Sequence, residues 1–237
     1  MNPTTAPIVV VRGLERRFGP VVALRSVDLA IHAGEVVLLA GPNGAGKSTL
    51  LRCLAGLTRP TRGTVRIQDR QLRSDPGARA LVGFLSHQSF LYEDLTAREN
   101  LRFAAKLYGL DEVERRVRDA LDAAGLLPRA EARAGVLSHG LRQRLAIARA
   151  TLHEPAVLLL DEPFTGLDAA AAEVLLGRIQ AGVERGRAIV CVTHQPAEIW
   201  QTATRVVVLD RGAMVLDAPR PAALGEFLAG CRRLFVA

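Results

Sequence analysis

Nine consecutive residues, Gly41-Pro42-Asn43-Gly44-Ala45-Gly46-Lys47-Ser48-Thr49, carry the most specific chemistry in this chain. They fit the pattern G-x-x-x-x-G-K-[ST]. Glycines at 41, 44 and 46 let backbone N–H groups close on phosphate oxygens with no Cβ in the way. Lys47 can reach the β- and γ-phosphates of a nucleotide, and the Ser48 hydroxyl can ligate Mg²⁺. A second acidic element complements the loop. In Val157-Leu158-Leu159-Leu160-Asp161-Glu162, two carboxylates follow an apolar run. At the C-terminal end of a buried strand, Asp161 is placed to hold Mg²⁺, directly or through water, and Glu162 is a candidate general base for an attacking water.

The phosphate loop requires a strand before it and a helix after it, and the sequence supplies both. Val36–Ala40 is an apolar run of strand length, and Ser48–Leu57 has helical apolar spacing. Upstream, Ile8–Leu14, Val21–Leu24 and Val27–His32 read as strands around a turn at Phe18-Gly19-Pro20. Val82–Ser86 reads as a further buried strand. The middle of the chain changes character: Thr96 to Glu99 is a capping box opening a helix to Leu110. Asp111–Ala124 alternates charged and apolar residues at helical spacing, and Ser138 is placed to cap a helix through Arg142–Leu152. After Pro155, strand and helix alternate: Ala156–Asp161, Ala169–Val183, Ala188–Thr193 and Ala197–Ala203. A hairpin of Arg205–Asp210 with Ala213–Asp217 follows. The expectation is one α/β domain over residues 1–237 with a mainly parallel sheet and an N-terminal antiparallel β subdomain. Its core covers about 1–89 and 151–237, with a helical subdomain at about 90–150.

Composition narrows the class. The chain has 237 residues, is 49% hydrophobic and carries a formal charge of +7. Its apolar runs are about five residues long, where a membrane-spanning helix needs about 20. No basic, apolar leader marks it for secretion. Cys53, Cys191 and Cys231 are widely spaced and fit neither a disulfide framework nor a zinc site, so a reducing compartment is expected. The positive surplus is read as spread along the chain, pointing to no single partner. Of the 31 basic residues only Lys47 and Lys106 are lysine. A compact ammonium fits between phosphates in a tight loop where a planar guanidinium does not.

With these residues in order, the chain resembles the nucleotide-binding subunit of an ABC transporter over essentially its whole length. Leu137–Arg144 resembles the family signature usually written LSGGQ, Gln88 matches the Q-loop, and Gly166–Asp168 resembles the D-loop. His194 resembles the switch histidine, and Phe18 matches the aromatic that stacks on adenine. The resemblance implies a P-loop NTPase with a RecA-like core and a helical signature subdomain. It also implies ATP and Mg²⁺ as cofactors, and Ser48, Gln88 and Asp161 around the metal. Glu162, His194, Lys47 and Gln88 would be catalytic. Phe18, residues 41–49, Asp168, and Ser138 and Gly140 of a facing subunit would hold the nucleotide. His139 and Leu141 depart from the signature, but a hydroxyl at 138, an N–H at 140 and a helix N-terminus need neither missing residue. His139 has no Cys or His partner at metal-ligand spacing.

The implied partners are a second copy or a homologous ATPase subunit, arranged head to tail, and a separate transmembrane permease. The implied location is the cytoplasmic face of the cell membrane. Ser89, Phe90, Leu91 and Tyr92 beside the helical insert are a candidate docking groove for the permease. No nucleic acid is expected, since the chain has one phosphate loop, no coiled-coil insertion and no basic run with interleaved aromatics. The intact Lys47, Asp161, Glu162 and His194 argue against a non-hydrolysing regulatory subunit. For cargo, Asp161–Asp168, Gly83–Gln88 and Thr193–Glu198 are similar to the haem exporter of cytochrome c maturation. Multidrug and other ABC-2-type exporters share these features.

Overall fold

A computed structural model describes residues 6–86 and 89–236. Two antiparallel strands open it, β1 (Val9–Phe18) and β2 (Val21–Ile31), joined at the expected turn. The sequence pattern predicts two strands, Val21–Leu24 and Val27–His32, where β2 runs. The structure makes it one strand, with Ser26 in the left-handed region at φ 51° and shifts in the pairing register along it. Next come β3 (Val36–Ala40), α1 (Lys47–Leu54), β4 (Arg62–Ile67), β5 (Arg70–Gln71), α2 (Pro76–Arg79) and β6 (Val82–Leu85). The helical stretch holds α3 (Ala97–Leu107), α4 (Val113–Ala123) and α5 (His139–Thr151). The chain closes with β7 (Val157–Asp161), α6 (Ala169–Glu184), β8 (Ala188–Val192), α7 (Pro196–Ile199), β9 (Arg205–Asp210), β10 (Ala213–Pro219) and α8 (Leu224–Val236).

Two sheets result. The smaller has the order β2-β1-β4-β5 and is antiparallel; the larger has the order β10-β9-β3-β8-β7-β6. Within the larger sheet β9, β3, β8, β7 and β6 run parallel, and only the edge strand β10 is antiparallel. Every residue of β7 and β8 is buried, as expected of strands covered on both faces. One face packs with α1 and the small sheet, through Leu50, Leu54, Leu159 and Val190. The other packs against α6 and the C-terminal helices, through Leu158, Leu175, Ile179 and Trp200.

Helices α3, α4 and α5 bury a cluster of their own around Leu101, Val117, Leu121 and Leu145. Helix α5 serves both sides: Ala146, Ile147 and Ala150 face the sheet, while Leu145 and Ala148 face the helices. The capping box forms as read, with Glu99 N–H donating to Thr96 Oγ1 (3.1 Å) and Thr96 N–H to Glu99 Oε2 (2.8 Å). Buried Asn100 then ties down the preceding loop, donating to the carbonyls of Tyr92, Leu95 and Thr96 and accepting from Tyr92 N–H.

Helix bounds shift at several places for local reasons. Helix α1 stops at Leu54, because Gly56 turns left-handed at φ 71°. Helix α5 starts directly after Ser138, the expected cap, and ends at Thr151. Helix α7 ends at Ile199 instead of Ala203.

Candidate functional site

The C-terminal ends of four neighbouring parallel strands converge where open α/β sheets hold their ligands. Strand β3 delivers the phosphate loop, β7 delivers Asp161 and Glu162, β8 delivers Thr193 and His194, and β6 ends at Leu85. Register ties them together: Asp161 pairs with Val192, two residues before His194. Gln88 lies outside the described residues.

The loop is built from glycines that no other residue could replace without strain. Gly41 sits at φ 142° and Gly46 at φ 103°, and a Cβ on either would overlap the carbonyl oxygen of Leu209 or of Ala23. Gly46 is also the N-cap of α1 and makes no side-chain cap, which leaves the first N–H groups of the helix without a side-chain acceptor. The loop is tied to the β9–β10 turn by Gly212 N–H donating to Ala45 O (3.0 Å). Gly41→Ala is therefore expected to cost about 1–3 kcal/mol from backbone strain alone. Gly177→Ala on α6, where a Cβ meets nothing within 4 Å, should instead gain about 0.5–1 kcal/mol. Denaturant unfolding of the two variants checks this, and equal midpoints would contradict it.

Lys47 is the first residue of α1. Its Nζ folds back over the loop, donating to Gly41 O at 2.7 Å and Pro42 O at 2.9 Å. Burial lowers its pKa, while the carboxylates of Glu162 and Asp161 pull it back up. That coupling places the ammonium and both acids in one electrostatic site. Ser48 and Thr49 follow in the first turn, with Ser48 exposed. Among the described residues Asp161 is one of three buried polar or charged residues, at 8% exposure, and its carboxylate accepts no hydrogen bond there.

Glu162 leaves β7 in the left-handed region, φ 54°, a conformation uncommon for a residue with a side chain. Its N–H donates to Val192 O (2.8 Å), which holds the turn against β8. Its carboxylate accepts from His194 N–H (3.1 Å) and lies 3.5 Å from His194 Nε2. Glu162 and His194 thus form a pair across β7 and β8, with the carboxylate largely covered and the imidazole in solvent.

The signature residues sit elsewhere. Ser138 caps α5 through a long bond from Leu141 N–H (3.4 Å), and Ser138 and His139 are exposed. Neither Ser138 nor Gly140 hydrogen-bonds to the phosphate loop among the described residues. The His139 ring packs on Gly166, where a Cβ would overlap it, and so fills space beside the D-loop. Asp168 spends its carboxylate on structure: it caps α6 through Ala171 N–H (2.7 Å) and pairs with Arg144 (3.0 Å). Phe18 is 47% exposed at the β1–β2 turn, with the Arg16 guanidinium 4.2 Å from the ring centroid.

Two positions escaped the sequence reading. Gln143 donates to Pro163 O (3.0 Å) and Arg144 reaches Asp168, so α5 is latched to the segment that follows Glu162. Both partners are 20 or more residues away, beyond any local pattern.

Comparison with known proteins decides the family. A family model described as ABC transporter matches residues 24–165. The chain belongs to that family. It is an ATP-binding subunit of the ABC class, the part of such transporters that hydrolyses ATP. The chain is 35% identical over 232 residues to the Nod factor export ATP-binding protein I of Cupriavidus pinatubonensis, covering 97% of this chain and 71% of that one. It is 36% identical over 224 residues to the methionine import ATP-binding protein MetN of Brucella abortus, covering 91% of this chain and 61% of that one. Among solved structures, an ATP-binding subunit of an ABC transporter superposes with a TM-score of 0.88 at 32% identity, covering 95% of this chain and 99% of that one. A dimeric ATP-binding cassette in a post-hydrolysis state with ADP and Pi superposes with a TM-score of 0.78 at 28% identity, covering 91% and 100%.

Proposed function

We propose that this chain hydrolyses ATP in a head-to-tail sandwich of two ATPase subunits and so drives an exporter whose pore is a separate membrane protein. The observation that supports this is that the two expected halves of the nucleotide site make no hydrogen bond to each other among the described residues of one chain. The loop with Lys47 lies at the C-terminal end of β3, while Ser138 caps α5 and Gly140 lies in the first turn of that helix. A nucleotide on the loop of one copy is completed by the N-terminus of α5 from the other. The structural relative with ADP and Pi, a dimer, supports that reading.

Within the site we assign the following roles. Backbone N–H groups of residues 41–49 cradle the phosphates, and Lys47 exchanges its bonds to the Gly41 and Pro42 carbonyls for the β- and γ-phosphate oxygens. The Ser48 hydroxyl and the uncommitted Asp161 carboxylate are hard oxygen donors suited to Mg²⁺, with Gln88 as a further donor. Mg²⁺ would neutralise charge developing on the phosphates. Glu162 takes the proton of the attacking water, and His194, held against it, steadies the γ-phosphate. Phe18 offers one ring face to adenine while Arg16 covers the other. Asp168 acts by placing α6 and α5 beside the site.

The permease partner is supported by an apolar groove of about 470 Å³ at the base of the helical stretch. Leu57, Phe90, Tyr92, Phe103 and Leu107 line it, and Leu107 is 70% exposed. The Tyr92 and Phe103 rings meet edge to face at 5.1 Å, a preformed surface for an amphipathic segment. No described helix is long and apolar enough to cross a membrane, consistent with a peripheral subunit on the cytoplasmic face. The export direction rests on the exporter-like segments Asp161–Asp168, Gly83–Gln88 and Thr193–Glu198; among the relatives, the Nod factor proteins are export subunits and the methionine and sulfate proteins import subunits. Haem, the cargo suggested by Asp161–Asp168, Gly83–Gln88 and Thr193–Glu198, is the specific proposal, with other ABC-2-type export as the alternative.

Co-purification tests the assembly. The wild-type chain should bring down one membrane protein, and Leu107→Glu should lose it while keeping ATP hydrolysis by the isolated chain. Recovery of cytochrome c maturation subunits would support haem export. An importer permease as the captured partner would overturn the export assignment.

A further inference from the structure

The positive surplus is not spread evenly, contrary to the sequence reading. Residues 52–79 carry seven arginines against Asp69 and Asp75 alone, most of the +7 carried by the whole chain. The fold gathers part of this segment around a cavity of about 520 Å³ between the C-terminal end of α1, β4 and the β5–α2 connection. Arg59, Arg62, Arg73 and Arg79 line it, and among the described residues no carboxylate does. All four are exposed, and none forms an ion pair among the described residues. Two other arginines of the segment are already committed: Arg70 pairs with Asp75, and Arg66 donates to Asp69 O. Thr58, Thr61 and Thr64 add hydroxyl groups to the same wall.

Neighbouring guanidinium groups repel one another, so four without an acid between them are a configuration that an anion stabilises. The place of the cavity says which anion. Arg79 lines both this cavity and the apolar groove assigned to the permease, and Gly56 gives its stem room, since a Cβ there would sit 3.1 Å from Arg79 Cδ. A face that docks on a permease lies against the membrane, and the cytoplasmic leaflet presents anionic phosphates. We propose that this arginine-lined cavity binds the phosphate headgroup of an anionic lipid beside the permease groove. The proposal rests on the docking reading above. It gives the subunit a second, electrostatic hold on the membrane surface, independent of the apolar contact. Among the described residues no aromatic ring lines the cavity to stack a base, and its four arginines supply bidentate donors for phosphate oxygens.

Co-sedimentation of the purified chain with vesicles tests this. Binding is expected to phosphatidylglycerol in phosphatidylcholine, to weaken steeply with salt, and to be absent with phosphatidylcholine alone. Arg62→Ala with Arg73→Ala should weaken it about thirty-fold, at about 1 kcal/mol per basic residue near an anionic surface. Both side chains are exposed and unpaired, so the fold should persist, which a thermal melt verifies. Arg115→Ala with Arg185→Ala, which removes the same charge at a cavity between α4 and α6, is the control for net charge and should stay within about threefold. Equal losses in the two pairs, or no preference for phosphatidylglycerol, would overturn the proposal. So would unchanged vesicle binding with loss of the permease, which would assign the cavity to an acidic protein segment. Leu107→Glu separates the two readings: it should lose the permease and keep the vesicles. Retention of the permease by that variant would count against the groove and leave the lipid result to stand by itself.

Discussion

Glu162→Gln is expected to lower ATP hydrolysis by about 10²–10⁴-fold, the range for loss of a positioned general base. At 1.36 kcal/mol per factor of ten, that corresponds to roughly 3–5 kcal/mol of lost transition-state stabilisation. The substitution keeps the shape of the side chain. The strained backbone at φ 54°, the bond from Glu162 N–H to Val192 O and an acceptor for His194 N–H can all survive it. Binding of ATP should therefore persist, and the nucleotide-bound pair of subunits should accumulate because the step that reopens it is blocked. Phosphate release and retained nucleotide are both measurable on the purified chain. Turnover close to wild type would remove Glu162 from its assigned role.

Lys47→Ala should fail one step earlier. The Lys47 ammonium lies 2.7 and 2.9 Å from two carbonyl oxygens of its own loop, aimed along the wall that the phosphates are proposed to occupy. Charge-assisted hydrogen bonds contribute about 1.5–3 kcal/mol each. Loss of two such bonds to phosphate predicts at least a hundred-fold weaker ATP binding, with roughly 1.4 kcal/mol per factor of ten. Lys47→Arg should be impaired as well, because a planar fork cannot occupy the space of a point charge inside the loop. Titration with a fluorescent ATP analogue reads both variants, and affinity within about threefold of wild type would contradict the assignment. The contrast with Glu162→Gln is informative, since one variant should bind without turnover and the other should not bind.

The parts of this site that were legible in the sequence are those fixed by short-range rules. The loop at 41–49, the acids ending β7 and the capping box at Thr96 and Glu99 are each contained in a few consecutive residues, and each formed as read. Long-range geometry was not legible. Nothing local announces that Arg144 meets Asp168, that Gln143 latches to Pro163, or that the His139 ring fills the space above Gly166. Helix α8 was missed because Gly225 and Gly230 break its helical pattern; Phe227 anchors it by packing against Trp200, ring centroids 5.4 Å apart. The four arginines of the basic cavity come from a loop, strand β4, a turn and the end of α2, so their grouping around one cavity exists only in three dimensions.

The proposed sandwich makes a quantitative claim, because hydrolysis would then require two subunits. The most direct measurement is phosphate release from the purified chain with MgATP, alone and with its co-purified partners, over a range of protein concentration. Hydrolysis is predicted to rise faster than in proportion to subunit concentration at low concentration, and to vanish with Lys47→Ala. No phosphate release above the Lys47→Ala background, in the chain or in its complex, would contradict the account. So would a rate strictly proportional to subunit concentration in a species shown to be monomeric.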